Sequence, residues 1–123
     1  MRKQYYFRQS PRGLLAWDVD RLVQLSKTLP RKLIPVSDIR ELDEAGFGED
    51  ELPTWRALLA HMRLIEEADL SFPIILSSSG AVMDGMHRVA KAAGQGLKEI
   101  AAVQFVVDPE PDHVGLGPAE LPY

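Results

Sequence analysis

Apolar positions along the chain fall into two kinds of run. Some recur every three to four residues, and others are short and bounded by proline, glycine or serine, which predicts helices interleaved with strands. Val19, Leu22, Val23 and Leu29 share one face behind Asp18, a good N-cap, and Pro30 ends the run, so a packing helix is expected there. Lys32 to Val36 reads as a short strand; Pro35 lacks an N–H and places it at a sheet edge or stops it. Pro53 suits a first helical turn, and Trp55, Leu58, Leu59, Met62 and Ile65 repeat at helical spacing over 54–68. Burial preference makes this Trp and Met stripe the expected main core helix rather than a cofactor box.

Farther on, Ile74 to Leu76, the turn-prone Ser77-Ser78-Ser79-Gly80, and Ala81 to Met83 predict a β-hairpin closed by Asp84-Gly85. Met86, Val89, Ala90 and Ala93 then follow i, i+3, i+4, i+7, and Gly94 and Gly96 can end that helix. Ile100 to Val107 has the length of a buried strand. Three stretches lack such periodicity. Residues 1–12 mix Arg2, Lys3, Arg8 and Arg12 with Tyr5, Tyr6 and Phe7, and the aromatic trio is expected to pack while the charges stay wet. Residues 38–51 are acid-rich, loosened by Gly46 and Gly48, and read as a solvated loop. The tail from Asp108 carries Pro109, Pro111, Pro118 and Pro122 and is expected to drape over the domain or move.

A length of 123 residues with 46% hydrophobic and 26% charged content suits one domain. Its expected parts are a basic arm and helix (1–30), a core (31–108) and a Pro-rich tail (109–123). A net charge of −4 disfavours a general nucleic-acid coat or polybasic membrane binding. The absence of cysteine removes disulfides, thiolate zinc sites and thiol nucleophiles, which makes a cytoplasmic location the natural expectation. The apolar stretch Gly13 to Trp17 is far too short for a secretory core or a spanning helix. His61, His87 and His113 lack helix-borne zinc spacing, and Ser77 to Ser79 lack a nucleophile-elbow setting.

The segment richest in chemistry is Asp84-Gly85-Met86-His87-Arg88, where a strand hands over to a helix. Unpaired N–H groups at a helix start favour an anion, glycine permits close backbone approach, Arg88 can add a forked contact and His87 can exchange a proton near neutrality. A helix dipole supplies about 0.3–1 kcal/mol and a charged hydrogen bond roughly 1.5–3, whereas micromolar affinity needs about 8. Other groups must therefore converge, and Arg40, Lys32 and Lys91 are the candidates. The competing reading is structural: Asp84 caps the helix, His87 satisfies a carbonyl and Arg88 pairs with a nearby acid.

The order of Lys32-Leu33-Ile34-Pro35-Val36, an acidic segment, a long helix, Phe72-Pro73-Ile74-Ile75-Leu76 and then Asp84-Gly85-Met86-His87-Arg88 resembles the ParB/sulfiredoxin superfamily over about residues 31–108. That resemblance implies a compact α+β domain, a small mixed sheet packed against helices, whose signature turn grips nucleotide phosphates. Sulfiredoxins carry a cysteine where Met86 stands, so sulfinic-acid repair is excluded. ParB proteins show Gly-Glu-Arg-Arg-x-Arg, of which this chain lacks the glutamate and two arginines. The free-serine kinase branch, with Asp-Gly-His-His-Arg, is similar at Asp84, Gly85, His87 and Arg88 and departs at Met86.

The expectation is a nucleoside-phosphate-binding domain for ATP, ADP or CTP, with Mg²⁺. Gly85, Met86, His87, Arg88, Arg40 and Lys91 would form its ligand set. Asp84, or Asp43, is the candidate metal ligand and His87 a candidate catalytic group, and the resemblance to the kinase branch, which uses a glutamate near the first strand as catalytic base, implies Glu41 for that role should phosphoryl transfer or hydrolysis follow. Two rivals stand beside it: a DNA-associated partition or regulatory module that uses the basic arm, and a non-catalytic domain that binds another protein or a second copy of itself.

Overall fold

The computed structural model describes residues 3–44 and 53–123. Its elements are β1 (Tyr5–Ser10), β2 (Gly13–Asp18), α1 (Val19–Ser26), β3 (Lys32–Pro35), α2 (Trp55–Glu67), β4 (Ile74–Leu76), β5 (Val82–Asp84), α3 (Met86–Gly94), β6 (Glu99–Gln104) and β7 (His113–Val114). Short 3-10 turns cover Val36–Asp38, Arg40–Asp43 and Pro118–Glu120. The fold class is α+β, as expected, with two sheets rather than one. A mixed sheet runs β3-β6-β4-β5, in which β6 and β4 are parallel and the outer pairs antiparallel. An antiparallel sheet runs β1-β2-β7.

The mixed sheet is apolar on both faces because its strands lie in the middle of a sandwich. Ile74, Leu76, Ile100 and Ala102 point to one side, where they meet Val89 and Ala92 of α3 and Val36 and Ile39 of the 3-10 segment. Ile75 and Val103, alternating with them, point to the other side, onto Leu15 and Trp17 of β2 and Leu22 of α1. Pro35 ends β3 at the sheet edge, where its missing N–H costs no ladder bond.

Both longer-range helix starts behave as their sequences predict. Asp18 accepts from the Asp20 N–H at 2.9 Å, and Thr54 accepts from the Ala57 N–H at 3.1 Å. The first helix closes at Ser26, ahead of Pro30, while Leu29 still packs on the core. Strand β6 closes at Gln104, earlier than the apolar run to Val107, since its neighbour β4 ends at Leu76; Val106 and Val107 are exposed.

Three expectations are corrected. Residues 5–18 are not an arm beside an isolated apolar stretch but a hairpin, with Tyr6 opposite Trp17 and Arg8 opposite Leu15. The aromatic trio does pack, and two of the charges are internally paired: Lys3 with Asp18 at 2.9 Å and Arg8 with Asp108 at 3.0 Å. The 38–51 segment begins as ordered 3-10 turns anchored by Ile39 in the core; positions 45–51 lie outside the described residues. The third correction is the largest: α2 buries none of its residues, and Trp55, Leu59 and Met62 are 83%, 62% and 54% exposed. This helix rests on α3 through the adjoining side, where Leu58, His61 and Ile65 are half-buried, so it is a flank of the domain rather than its core.

The Pro-rich tail drapes over the antiparallel sheet. Trp17 Nε1 donates to the Pro109 carbonyl at 2.7 Å, Asp112 accepts from the Asp18 N–H at 2.8 Å, Tyr5 donates to the Pro122 carbonyl, and Leu121 is buried.

Candidate functional site

The 84–88 turn is built around a glycine with a positive φ of 110°, which serves as the N-cap position of α3. Any side chain here is strained, and an added Cβ would lie 2.7 Å from Ile74 Cγ2 and 2.9 Å from Arg88 Nη2. Gly85 thus lets the strand-to-helix bend press against a fully buried isoleucine and lets the guanidinium fold back over the turn. No side chain caps the first turn of α3, so Asp84 is not the helix cap that the structural reading assigned to it. Instead Asp84 Oδ2 accepts from Arg88 Nη2 at 3.1 Å, one helical turn away. Arg88 Nε is buried and has no hydrogen-bond partner among the described residues.

Beside this turn lies an open cleft of about 1020 Å³. One wall is residues 82–88. The facing wall comes from the N-terminal hairpin, with Lys3, Tyr5, Tyr6 and Phe7, and from Tyr123, while Leu64, Ala68 and Asp69 from the end of α2 contribute a third side. Tyr5 is fixed there by its bond to Pro122 and by an edge-on contact with Tyr123 at 5.4 Å between ring centres. Volume and lining are those of a small-molecule site: aromatic and aliphatic walls with a few polar groups.

His87 reaches the cleft and also meets His61 of α2, Nε2 to Nδ1, at 3.4 Å. Burial pushes the His87 imidazole below its ordinary value of 6.5, and His61 pushes it the same way against the opposing pull of Asp84. The ring is therefore neutral at physiological pH and offers one donor and one acceptor.

Of the residues singled out from the sequence, Asp84, Gly85, Met86, His87 and Arg88 all line the cleft. The others are placed elsewhere. Lys91 Nζ donates to the carbonyls of Glu66 at 2.8 Å and Ala68 at 2.7 Å, closing the C-terminus of α2. Lys32 donates to Gln104. Arg40 is exposed on the 3-10 turn and is not among the cleft-lining residues. Glu41 Oε2 accepts from the Val82 N–H at 2.6 Å, tying that turn to the edge strand, while its Oε1 is buried without a partner. For Mg²⁺, Asp84 is engaged by Arg88, and among the described residues no three His, Asp or Glu side chains converge.

What sequence reading did not join is the two walls. The aromatic trio was expected to pack and Lys3 to stay in water, and only the hairpin brings them to the cleft that Gly85 lines. The His61–His87 pair has no sequence signal, since the two sit on separate helices.

No family model matches the sequence, and comparison with curated proteins returns no match. Among solved structures the chain is similar to one described as the C2221 form of a Pnob8-like ParB-N domain, with 14% identity and a TM-score of 0.39. The match covers 63% of this chain and 30% of that one, so this chain spans less than a third of the other's length. The likeness is one of architecture, at a score too low to transfer a site or a ligand. No helix among the described residues is long and apolar enough to cross a membrane.

Proposed function

We propose that the chain binds a nucleoside phosphate in the cleft between the N-terminal hairpin and the 84–88 turn. The observation that carries this reading is the uncapped first turn of α3 behind Gly85, which leaves backbone N–H groups available at a cleft of nucleotide size. In the proposed complex these amides and Arg88 receive the phosphate, and Gly85 permits the close approach. His87 supplies a neutral polar contact, and Tyr5, Tyr6 or Phe7 offers an aromatic surface to the base. Mg²⁺ accompanies the phosphates rather than a protein carboxylate cluster. Arg88 begins in the grip of Asp84, so binding exchanges one anionic partner for another.

The reading stops at binding. Phosphoryl transfer needs a carboxylate beside the attacking hydroxyl, and Glu41 spends one oxygen on the Val82 N–H.

The test is calorimetry and thermal denaturation with ATP, ADP and CTP, each with and without Mg²⁺. A ligand selective for the folded chain raises Tm, and Arg88→Ala is expected to weaken it about 10- to 100-fold, the worth of one charge-assisted hydrogen bond. Absence of any rise at millimolar nucleotide overturns the proposal.

A further inference from the structure

The feature that neither the fold nor the cleft accounts for is a second, smaller pocket between the end of α1 and the segment that leads into β4. Its volume of about 310 Å³ is less than a third of the cleft's and lies at the lower end of the range for small-molecule sites, about 300–1,000 Å³. The mixed sheet contributes buried Ile75 and Val103, α1 and the chain beyond it contribute Val23 and Leu29, and Phe72 closes the other side. Because α1 ends at Ser26, this strip of sheet is left open, and Phe72 stands beside the opening 58% exposed instead of filling it.

Charge around the pocket selects the occupant. The charged residues that line it are Lys27, Arg31 and Arg88 against Asp84 alone. Asp84 is taken by Arg88, so the excess is positive. Lys27 and Arg31 make no ion pair with a described residue, and Arg31 Nη1 is held in place by the Ser71 carbonyl at 3.0 Å, beside Phe72 in the chain. Arg88 is itself under-satisfied, since Nη2 serves Asp84 while Nε is buried without a partner. Unbalanced positive charge favours an anion over a neutral hydrocarbon. Apolar walls disfavour inorganic phosphate, which would lose hydration and gain nothing from Leu29, Phe72 and Ile75. A carboxylate brings a single charge, and its two oxygens match the guanidinium fork. We propose that this pocket is a second ligand site for a small monocarboxylate. Its apolar body, one aromatic ring or a short branched chain, lies against Leu29 and Phe72, and its charge is set among Lys27, Arg31 and Arg88.

The proposal does not rest on the nucleotide reading, because the Arg88–Asp84 pair separates this pocket from the cleft and the experiment contains no nucleotide. The whole chain is titrated with 3-phenylpropionate and followed by NMR at the methyls of Val23, Leu29, Ile75 and Val103 and at the Nε–H of Arg88. These signals are expected to shift together and saturate with a Kd below about 1 mM, an affinity open to a ligand of this size. The amide 3-phenylpropionamide, of the same shape without the charge, should bind about tenfold more weakly or worse. The acid should likewise bind about tenfold more weakly to Lys27→Gln combined with Arg31→Gln, the worth of one charge-assisted hydrogen bond. Val23→Phe, at a position already 37% exposed, fills the pocket from its rim and should abolish binding, with circular dichroism and Tm verifying that both variants fold. No saturable shift at millimolar acid overturns the proposal. So does a response centred on Tyr5 and His87 of the cleft, an amide that binds as well as the acid, or normal binding to Val23→Phe. Inorganic phosphate that moves the same methyls as strongly would make the pocket a plain anion site and overturns it too.

Discussion

Arg88 and Asp84, joined at 3.1 Å, form a partition between two cavities: the cleft of about 1020 Å³ and a smaller pocket of about 310 Å³ walled by Val23, Leu29, Phe72 and Val103. The carboxylate holds the guanidinium in place and at the same time competes with any anion that approaches it. Asp84→Asn keeps a hydrogen-bond acceptor and removes the charge. It is expected to tighten nucleotide binding about fivefold, the equivalent of about 1 kcal/mol of repulsion removed at about 4 Å in water. Calorimetric titration of the variant beside the wild type reads this directly, and weaker binding would mean that Asp84 contributes by orienting Arg88 more than it costs by charge.

Gly85 is the position least able to accept a side chain. Gly85→Ala combines a positive φ with a Cβ 2.7 Å from Ile74 Cγ2 and 3.0 Å from Ile74 Cβ, and Ile74 is fully buried and cannot retreat. The expected loss is about 2–4 kcal/mol, from backbone strain together with overpacking. Urea unfolding measures it. Gly80→Ala provides the contrast: φ is also positive there, but nothing lies within 4 Å of the added Cβ, so only the strain is felt.

The order of elements from Asp18 to Gln104 was legible because period and punctuation agreed: Asp18 and Thr54 cap, Pro30 and Pro35 stop, and Ser77 to Gly80 turn. Two elements were not, for opposite reasons. The N-terminal hairpin hides because Arg8 occupies a core-facing position. It is made tolerable there by Asp108 and by the ring of Trp17, 4.9 Å from the guanidinium carbon, a partnership no local pattern reveals. The α2 stripe misleads because periodicity reports that a face is apolar and not whether anything covers it. The candidate turn was legible from Gly85, His87 and Arg88, whereas Lys91 and Arg40 were chosen by proximity along the chain, which does not say where a long side chain ends.

Glu41 separates an architectural role from a chemical one. Glu41→Ala leaves the N–H of buried Val82 unpaired and is expected to cost about 1–3 kcal/mol. Glu41→Gln retains an acceptor and should recover most of that loss. If nucleotide binding is unchanged in Glu41→Gln, the residue is a strap for β5; a selective effect on the bound nucleotide at unchanged stability would instead place it in the chemistry.

The burial of His87, with His61 beside it, gives stability a pH dependence near neutrality. His87 titrates below 6.5 in the folded chain, because of burial first and His61 second, and at its ordinary value once unfolded. Between those two values the unfolded chain holds a proton that the folded chain declines, so stability increases with pH across that window and falls on acidification below about 6.5. Above the window both states are neutral and the slope from this residue vanishes. Asp18, Asp69 and Asp108 are all held below the carboxylate value of 3.8, so their contribution is lost only at much lower pH and does not overlap. Urea midpoints taken from about pH 5 to 7.5 should therefore decline toward the acid end in the wild type and flatten in His87→Gln, which keeps a polar side chain without a titrating proton. A slope that persists in His87→Gln would assign the effect to another group.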